Sequence, residues 1–148
     1  MNFCLKKGLS VVQGDANYDL SDFSDNSFST VILSQTIQAT IFPERVIKNL
    51  IRIGKRAIIS FPNFGFWKIR KDFFFSGKMP KNKILPYEWF DTPNIHLCSI
   101  NDFIQLCHKN RIKIKDKVLL NENGEKIQSI NFFENLLSYQ VIFCVSKK

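Results

Sequence analysis

The chain has 148 residues, a length typical of a single domain, and 45% of them are hydrophobic, which is enough to build a core. No stretch approaches the roughly 20 apolar residues of a membrane-spanning helix, and residues 1–12 lack the apolar core of a signal peptide, so we expect a cytoplasmic protein. The net charge of +8 is compatible with an RNA or membrane-surface partner, but the Lys and Arg residues are spread along the chain, which argues against nucleic-acid binding.

The beginning of the chain contains two β-prone runs. Residues 9–13 predict a short strand that ends at Gly14, and an Asp- and Ser-rich loop follows it. Residues 30–34 form a continuous apolar run of strand length, as expected of a strand that is buried on both faces of a sheet.

A helix with clear boundary signals comes next. Pro43 suits the first helical turn, and Gly54 is a typical residue to follow the last one. Between them one face of the helix is apolar, carrying Val46, Ile47, Leu50 and Ile51. Residues 57–61 then form a second buried strand. Strand, helix and strand within about thirty residues predict a βαβ unit with parallel strands and a right-handed crossover.

The second half of the chain begins with an excursion in which residues 64–93 mix aromatic and basic side chains. Ser99 and Asp102 then have the spacing of a capping box, which predicts a helix. Its buried face should carry Phe103, Leu106 and Cys107. After it we expect a strand over residues 113–120, a turn at Asn123-Gly124, a short helix over 132–137 and a final strand over 140–145.

The cysteines do not form a recognisable motif, since they lie far apart and include no C-x-x-C pair. They are Cys4, Cys98, Cys107 and Cys144. His96 with Cys98, or Cys107 with His108, could each supply two metal ligands, but neither pair has obvious third and fourth partners. We therefore predict no metal site.

Several strings in the sequence resemble the MetW family of methionine biosynthesis proteins. The longest is residues 85–97, LPYEWFDTPNIHL. Shorter ones are VQGD at 12–15, VILSQT at 31–36 with QAT at 38–40, and SFPNFG at 60–65. The resemblance covers the chain from about residue 9 to its end. It implies an α/β architecture, the Rossmann-like class I methyltransferase fold, with a mostly parallel sheet and an antiparallel C-terminal strand.

The family's fold, by resemblance, begins with two βα units that have no counterpart here, including the glycine-rich loop that holds the carboxylate end of S-adenosylmethionine. We therefore expect residues 1–148 to form a single incomplete domain: a fragment, a gene with a misplaced start or a decayed copy. The strands should lie in the order 30, 57, 140, 113, named by their first residues, with residues 9–13 unpaired or abnormally paired. We expect no binding of S-adenosylmethionine by this chain alone.

The resemblance also assigns candidate cofactor contacts. Asp15 would accept a hydrogen bond from the adenine amino group, and Ala16 would offer its backbone N–H to the ring. Ser34 and Gln35 lie at the carboxyl end of a strand, where open α/β sheets bind ligands. The structural alternatives are that Asp15 is a turn residue and that Ser34 and Gln35 are only a polar strand end.

Catalytic residues are not identified by the sequence, although Glu88, Asp91 and His96 are weak candidates for acid–base work. Methyl transfer from a sulfonium often needs little more than alignment of the acceptor. His96 also lies just before the capping box, so a structural hydrogen bond at the start of that helix is the competing interpretation.

For function, the resemblance implies a role in methionine biosynthesis through association with a homoserine O-acyltransferase. One alternative is an S-adenosylmethionine-dependent methyltransferase whose cofactor-binding part is missing from this chain. Another is a basic module that binds RNA or a membrane surface through residues 67–83. The candidate partner surface is residues 64–91, whose aromatic side chains could instead belong in part to the core: Trp67, Phe73, Phe74, Phe75 and Trp89.

Overall fold

The structure is a computed structural model that describes residues 6–129 and 132–148. Its strands are β1 (Val31–Ser34), β2 (Ala57–Pro62), β3 (Ile112–Leu120), β4 (Lys126–Ile127) and β5 (Gln140–Lys147). Its α-helices are α1 (Pro43–Ile53), α2 (Trp67–Ser76), α3 (Ile100–Lys109) and α4 (Glu134–Leu137). Short 3₁₀ helices cover Asp19–Asp22 and Ile37–Ala39. Within the described ranges no helix is long and apolar enough to cross a membrane.

One mixed sheet organises the fold, in the order β1-β2-β5-β3-β4. β1 and β2 pair in parallel, whereas β5 is antiparallel to both of its neighbours, β2 and β3. β1, β2 and β3 therefore run in one direction and β5 runs against them. The predicted α/β fold class, strand order and antiparallel final strand are confirmed. β4, which pairs with β3 after the turn at Gly124 (φ +79°), was not predicted.

The predicted strand over residues 9–13 is wrong. These residues have no strand conformation, and Val12 is 85% exposed to solvent. A β-prone run becomes a strand only when a neighbouring strand supplies backbone hydrogen-bond partners, and among the described residues none pairs with this run. The run is therefore unpaired, as expected, and leads into a turn that starts at Asp15.

The βαβ unit formed by β1, α1 and β2 is confirmed. Pro43 occupies the start of α1, Gly54 ends it, and the predicted apolar face is buried at Val46, Ile47 and Leu50. Gly54 also permits close contact between the helix end and the sheet. A Cβ atom at this position would lie 2.5 Å from Cγ2 of Val31, so any larger residue would push α1 away from β1.

The core lies between one face of the sheet and the helices α1 and α3. At its centre the rings of Phe61, Phe103 and Phe143 contact one another, with centroid separations of 4.7–6.0 Å. A second, smaller hydrophobic cluster packs within the excursion after β2, and Tyr139 contacts it. Its buried members are Phe64, Phe66, Ile69, Ile84 and Leu85. The excursion therefore has its own apolar support and contains the helix α2, which the sequence did not predict.

The capping box that starts α3 is confirmed. The backbone N–H of Asp102 donates to Oγ of Ser99 at 3.3 Å, and the backbone N–H of Ser99 donates to Oδ2 of Asp102 at 2.8 Å. Phe103 and Cys107 are buried as predicted, and Leu106 is half-buried. The box fixes where α3 begins and hence where the preceding residues 94–98 approach the sheet.

Candidate functional site

The carboxyl ends of β1 and β2 form an exposed edge. The backbone N–H of Gln35 donates to the carbonyl oxygen of Ser60 at 2.9 Å, and the hydroxyl oxygens of Ser34 and Ser60 are 3.3 Å apart. Gln35 has a φ of +52°, in the left-handed region that residues other than glycine rarely adopt. Strained backbone of this kind is found more often than average at ligand sites, and this edge is where open α/β sheets bind ligands.

Asp15 forms a tight turn at the same edge. Its Oδ1 accepts hydrogen bonds at 2.8 Å from both the backbone N–H and the side-chain amide of Asn17. Oδ1 of Asn17 accepts in turn from the backbone N–H groups of Ile41 and Phe42, at 2.8 and 3.2 Å. Asn17, which the sequence did not single out, therefore fastens the Asp15 turn to the loop between β1 and α1.

Residues 95–96 hold that loop from another side. The backbone N–H groups of Ile95 and His96 both donate to the carbonyl oxygen of Gln38 at 2.9 Å. Nε2 of His96 lies 3.4 Å from the carbonyl oxygen of Ile41. The side chain of Gln38 is buried, and its amide donates to the carbonyl oxygen of Gln35 at 2.9 Å. The sequence contains one sign that Gln38 matters for this loop, the string QAT at 38–40 that resembles the MetW family.

The structure describes the side chains of all three acid–base candidates, Glu88, Asp91 and His96. No hydrogen bond or ion pair joins any two of these side chains. Oε1 of Glu88 forms an ion pair with Nζ of Lys81 at 2.6 Å, and both side chains are about half exposed. The backbone N–H of Asp91 donates to the carbonyl oxygen of Glu88 at 3.1 Å. His96 contacts the loop after β1 instead. Acid–base roles for Glu88, Asp91 and His96 stay a prediction.

The resemblance assigns one end of S-adenosylmethionine to the residues at this edge, and that assignment stays a prediction. Oδ2 of Asp15 and the backbone N–H of Ala16 have no hydrogen-bond partner among the described residues, so both are free to contact an adenine ring. The side chains of Ser34 and Gln35 are exposed to solvent as well. For the carboxylate end the sequence offers only Gly8 and Gly14 as isolated glycines, not a glycine-rich loop.

The cysteines of the described residues are not arranged for chemistry. Burial raises the pKa of the Cys98 thiol to about 12, with a further contribution from the nearby Asp102 carboxylate, and burial alone raises that of Cys107 to about 12. Within the described ranges no three His, Cys, Asp or Glu side chains are placed to hold a metal ion. Cys4 lies outside the described residues.

Asn63 is a buried polar residue whose role the sequence did not reveal. It follows β2 and is fully buried. Its amide nitrogen donates to the carbonyl oxygens of Asn135 and Ser138 at 2.9 and 2.8 Å, and its Oδ1 accepts from the backbone N–H groups of Gly65 and Ile100. Asn63 therefore ties together the end of β2, the start of α3 and the segment before β5.

A second candidate site is an exposed group of aromatic side chains in the excursion, which we call the aromatic surface. It comprises two clusters, residues 73–75 at the end of α2 and residues 87–90, and Met79 and Pro80 line the depressions beside both. Its most exposed members are Phe74 (80%), Phe75 (77%), Trp89 (74%) and Phe90 (71%). The expectation that some of the five predicted aromatic candidates belong to the core is wrong, because Phe64 and Phe66 fill the core of the excursion instead.

Two depressions adjoin the aromatic surface, and lysine side chains line one of them. Lys71 and Lys78 lie beside Phe75 around a shallow depression. A second cavity, of about 160 Å³, adjoins Trp89 and Tyr87 and has a largely apolar lining. Exposed aromatic anchors next to an apolar cavity are typical of a surface that binds another protein.

Comparison with known proteins identifies relatives of this chain. The profile of the family "Methionine biosynthesis protein MetW" matches residues 1–145. The bifunctional methionine biosynthesis protein MetXA/MetW of Rhodopirellula baltica is 32% identical over 127 residues, which are 84% of this chain and 20% of that relative. The chain thus spans about a fifth of the length of the curated relative it matches.

Solved structures show the same fold. SAM-dependent methyltransferases from Thermotoga maritima and Archaeoglobus fulgidus superpose on 99% of this chain and on 68% and 71% of their own, with TM-scores of 0.64 and 0.61. Their sequences are 17% and 16% identical to this one. At that level the likeness establishes the class I methyltransferase fold and no activity.

Proposed function

This chain belongs to the MetW family of methionine biosynthesis proteins, and we propose that it acts in that pathway by associating with a homoserine O-acyltransferase. The observation that carries the proposal is the aromatic surface. Phe74, Phe75, Trp89 and Phe90 are each more than 70% exposed. Such side chains lose unfavourable contact with water when a partner covers them, and aromatic anchors dominate the binding energy of protein interfaces.

The bifunctional name of the Rhodopirellula baltica relative supports the choice of a homoserine O-acyltransferase as partner. Its name joins MetXA and MetW in one bifunctional protein, and the matched part is 20% of it. Covalent linkage gives two units a high effective concentration, so a weak contact suffices between them. Where the two units are separate chains, a dedicated surface has to supply the affinity, and the aromatic surface is suited to that role.

A second candidate function, S-adenosylmethionine-dependent methyl transfer, is favoured by the unengaged Oδ2 of Asp15 and N–H of Ala16. It requires a carboxylate-binding segment beyond the residues seen here. Because the aromatic surface needs no such addition, we rank association first.

The proposal is tested by co-expressing this chain with a homoserine O-acyltransferase from the same genome and purifying one through a tag on the other. Trp89→Ala and Phe74→Ala should each reduce co-purification, because they remove exposed anchors without entering the core. Phe132→Ala is the matched control, since Phe132 is 89% exposed and lies outside the aromatic surface. Equal recovery of all variants, with every chain folded, would contradict a role for the aromatic surface.

A further inference from the structure

A basic cavity lies at the edge of the sheet opposite the carboxyl ends of β1 and β2. It has a volume of about 400 Å³ and is enclosed by the second half of α1, the turn between α3 and β3, and the end of β5. We call it the basic cavity. Its charged lining residues are Lys48, Arg52, Arg111, Lys147, Lys148 and Asp25. Basic side chains therefore exceed acidic ones by a wide margin.

Only part of this positive charge is neutralised within the chain. Nη1 of Arg52 forms an ion pair with Oδ1 of Asp25 at 2.6 Å, and Nζ of Lys48 pairs with Glu44 at 2.8 Å. The side chains of Arg111 and Lys147 have neither an ion pair nor a hydrogen bond to any residue in the two described ranges. Their charges are thus available to a ligand.

Strand pairing keeps these two cations close. Ile112 of β3 is the register partner of Lys147 in β5, so Arg111 immediately precedes the pair. Both side chains line the basic cavity, and like charges gathered around one cavity repel each other. The arrangement therefore has an electrostatic cost that a bound anion would relieve.

The basic cavity also includes a strained backbone position, at Arg111. Arg111 has a φ of +54° and Asn26, which also lines the basic cavity, has a φ of +57°. In the described residues only Gln35 shares this left-handed conformation among non-glycine residues. For arginine at the end of a helix the conformation is unfavourable, since glycine or asparagine normally follows the last turn. Strain retained at a cation-lined cavity indicates a function for the arginine side chain.

We propose that the basic cavity binds the phosphate group of a small molecule. The planar guanidinium of Arg111 and the ammonium of Lys147 match phosphate oxygens in charge and hydrogen-bonding capacity. A volume of about 400 Å³ suits a small ligand and is too confined for a nucleic-acid duplex. The basic cavity is separate from the aromatic surface and from the edge at Ser34, so this inference does not depend on the proposed function.

The first experiment titrates the chain with inorganic phosphate at constant ionic strength. Binding is monitored through the backbone amide chemical shifts in NMR spectra. We expect saturable shifts at Asn26, Arg111 and Lys147. Arg111→Gln and Lys147→Gln should each raise the dissociation constant at least about tenfold, the effect of losing one charge-assisted hydrogen bond. Lys115→Gln is the matched control, an exposed lysine of β3 outside the cavity lining. Equal weakening by the control, or shifts that do not saturate, would overturn the proposal.

A second variant separates binding from folding. Arg111→Gly removes the guanidinium and also places glycine where φ is positive, so the melting temperature should rise while phosphate binding is lost. If Arg111→Gly raises the melting temperature and binds phosphate as tightly as the parent chain, the arginine has no binding role and the proposal fails. If Arg111→Gly is unfolded, phosphate binding by Lys147→Gln decides the proposal: an unchanged dissociation constant would overturn it.

Discussion

The buried side-chain amide of Asn63 donates a hydrogen bond to the carbonyl oxygen of Ser138 at 2.8 Å, across 75 residues of sequence. This contact holds the end of β2 against the residues that lead into β5. It also gives a structural reason for the string SFPNFG at 60–65, which the sequence comparison could only associate with a family. The asparagine stabilises the framework from which the excursion and its aromatic surface extend.

We therefore expect Asn63→Ala to be strongly destabilising. The substitution removes four hydrogen bonds and leaves the carbonyl oxygens of Asn135 and Ser138 and the N–H of Gly65 without the Asn63 side chain, whereas the N–H of Ile100 keeps Oδ1 of Asn135 at 3.1 Å. Each unsatisfied group costs about 1–3 kcal/mol, so a total loss of about 3 kcal/mol or more is expected. Urea denaturation measures it. Asn101→Ala, an exposed asparagine in the first turn of α3, should stay within about 0.5 kcal/mol of the parent chain.

A pH dependence follows from the Lys117–Glu134 ion pair. Burial opposes ionisation of Glu134, but hydrogen bonds from Lys117 and Ser129 and the charge of Lys117 outweigh it and lower the pKa of Glu134. Because the folded-state pKa is depressed, the pair stabilises the fold fully above the unfolded value of about 4.3 and loses this contribution as pH falls through the folded value.

Glu134→Gln tests this pH dependence. At pH 7 the variant should be less stable by about 1–3 kcal/mol, because Lys117 and Ser129 lose a charged acceptor. The difference should shrink steadily in urea titrations repeated at lower pH. A difference that is constant from neutral to acidic pH would show that ionisation of Glu134 is not responsible.

Thiol reactivity is a separate test of the core. Because burial raises the pKa values of Cys98 and Cys107 to about 12, few thiolates are present at pH 8 and alkylation should be slow. Both thiols should react rapidly once the chain is unfolded in urea. Labelling by iodoacetamide, read residue by residue by mass spectrometry, gives the rates. Fast labelling of Cys107 in the folded chain would be inconsistent with its position in the core.

Cofactor binding by residues 1–148 alone should be too weak to measure. The sequence has no glycine-rich loop to bind the carboxylate of S-adenosylmethionine, and each charge-assisted hydrogen bond is worth about 1.5–3 kcal/mol. Loss of two or three of them would move a micromolar site to about millimolar affinity. Calorimetry that gives a dissociation constant below about 10 μM would refute this expectation.

Elements with strong local signals were predictable from the sequence. The boundaries of α1 follow from Pro43 and Gly54, and the start of α3 follows from Ser99 and Asp102. The order of four strands was implied by resemblance and is confirmed. These features depend on residues close together in the chain or on a family-wide arrangement, so one sequence is enough to find them.

Other features depend on contacts that no local pattern encodes. Residues 9–13 have strand-like composition but no strand beside them. α2 was missed because aromatic and basic residues alternate around it, and only Ile69 of the helix is buried. The contacts of Asn17 with Ile41 and of Asn63 with Ser138 join residues 24 and 75 positions apart. At the candidate site, the left-handed backbone of Gln35 likewise has no signature in the sequence.

Association with the acyltransferase is measured by light scattering during size-exclusion chromatography of the two purified proteins mixed at about 10 μM, where a micromolar complex is largely formed. We predict a single peak whose mass is the sum of the partners, and its loss with Trp89→Ala but not with Phe132→Ala. Two separate peaks at the masses of the free proteins, with this chain folded by circular dichroism, would contradict the proposed function.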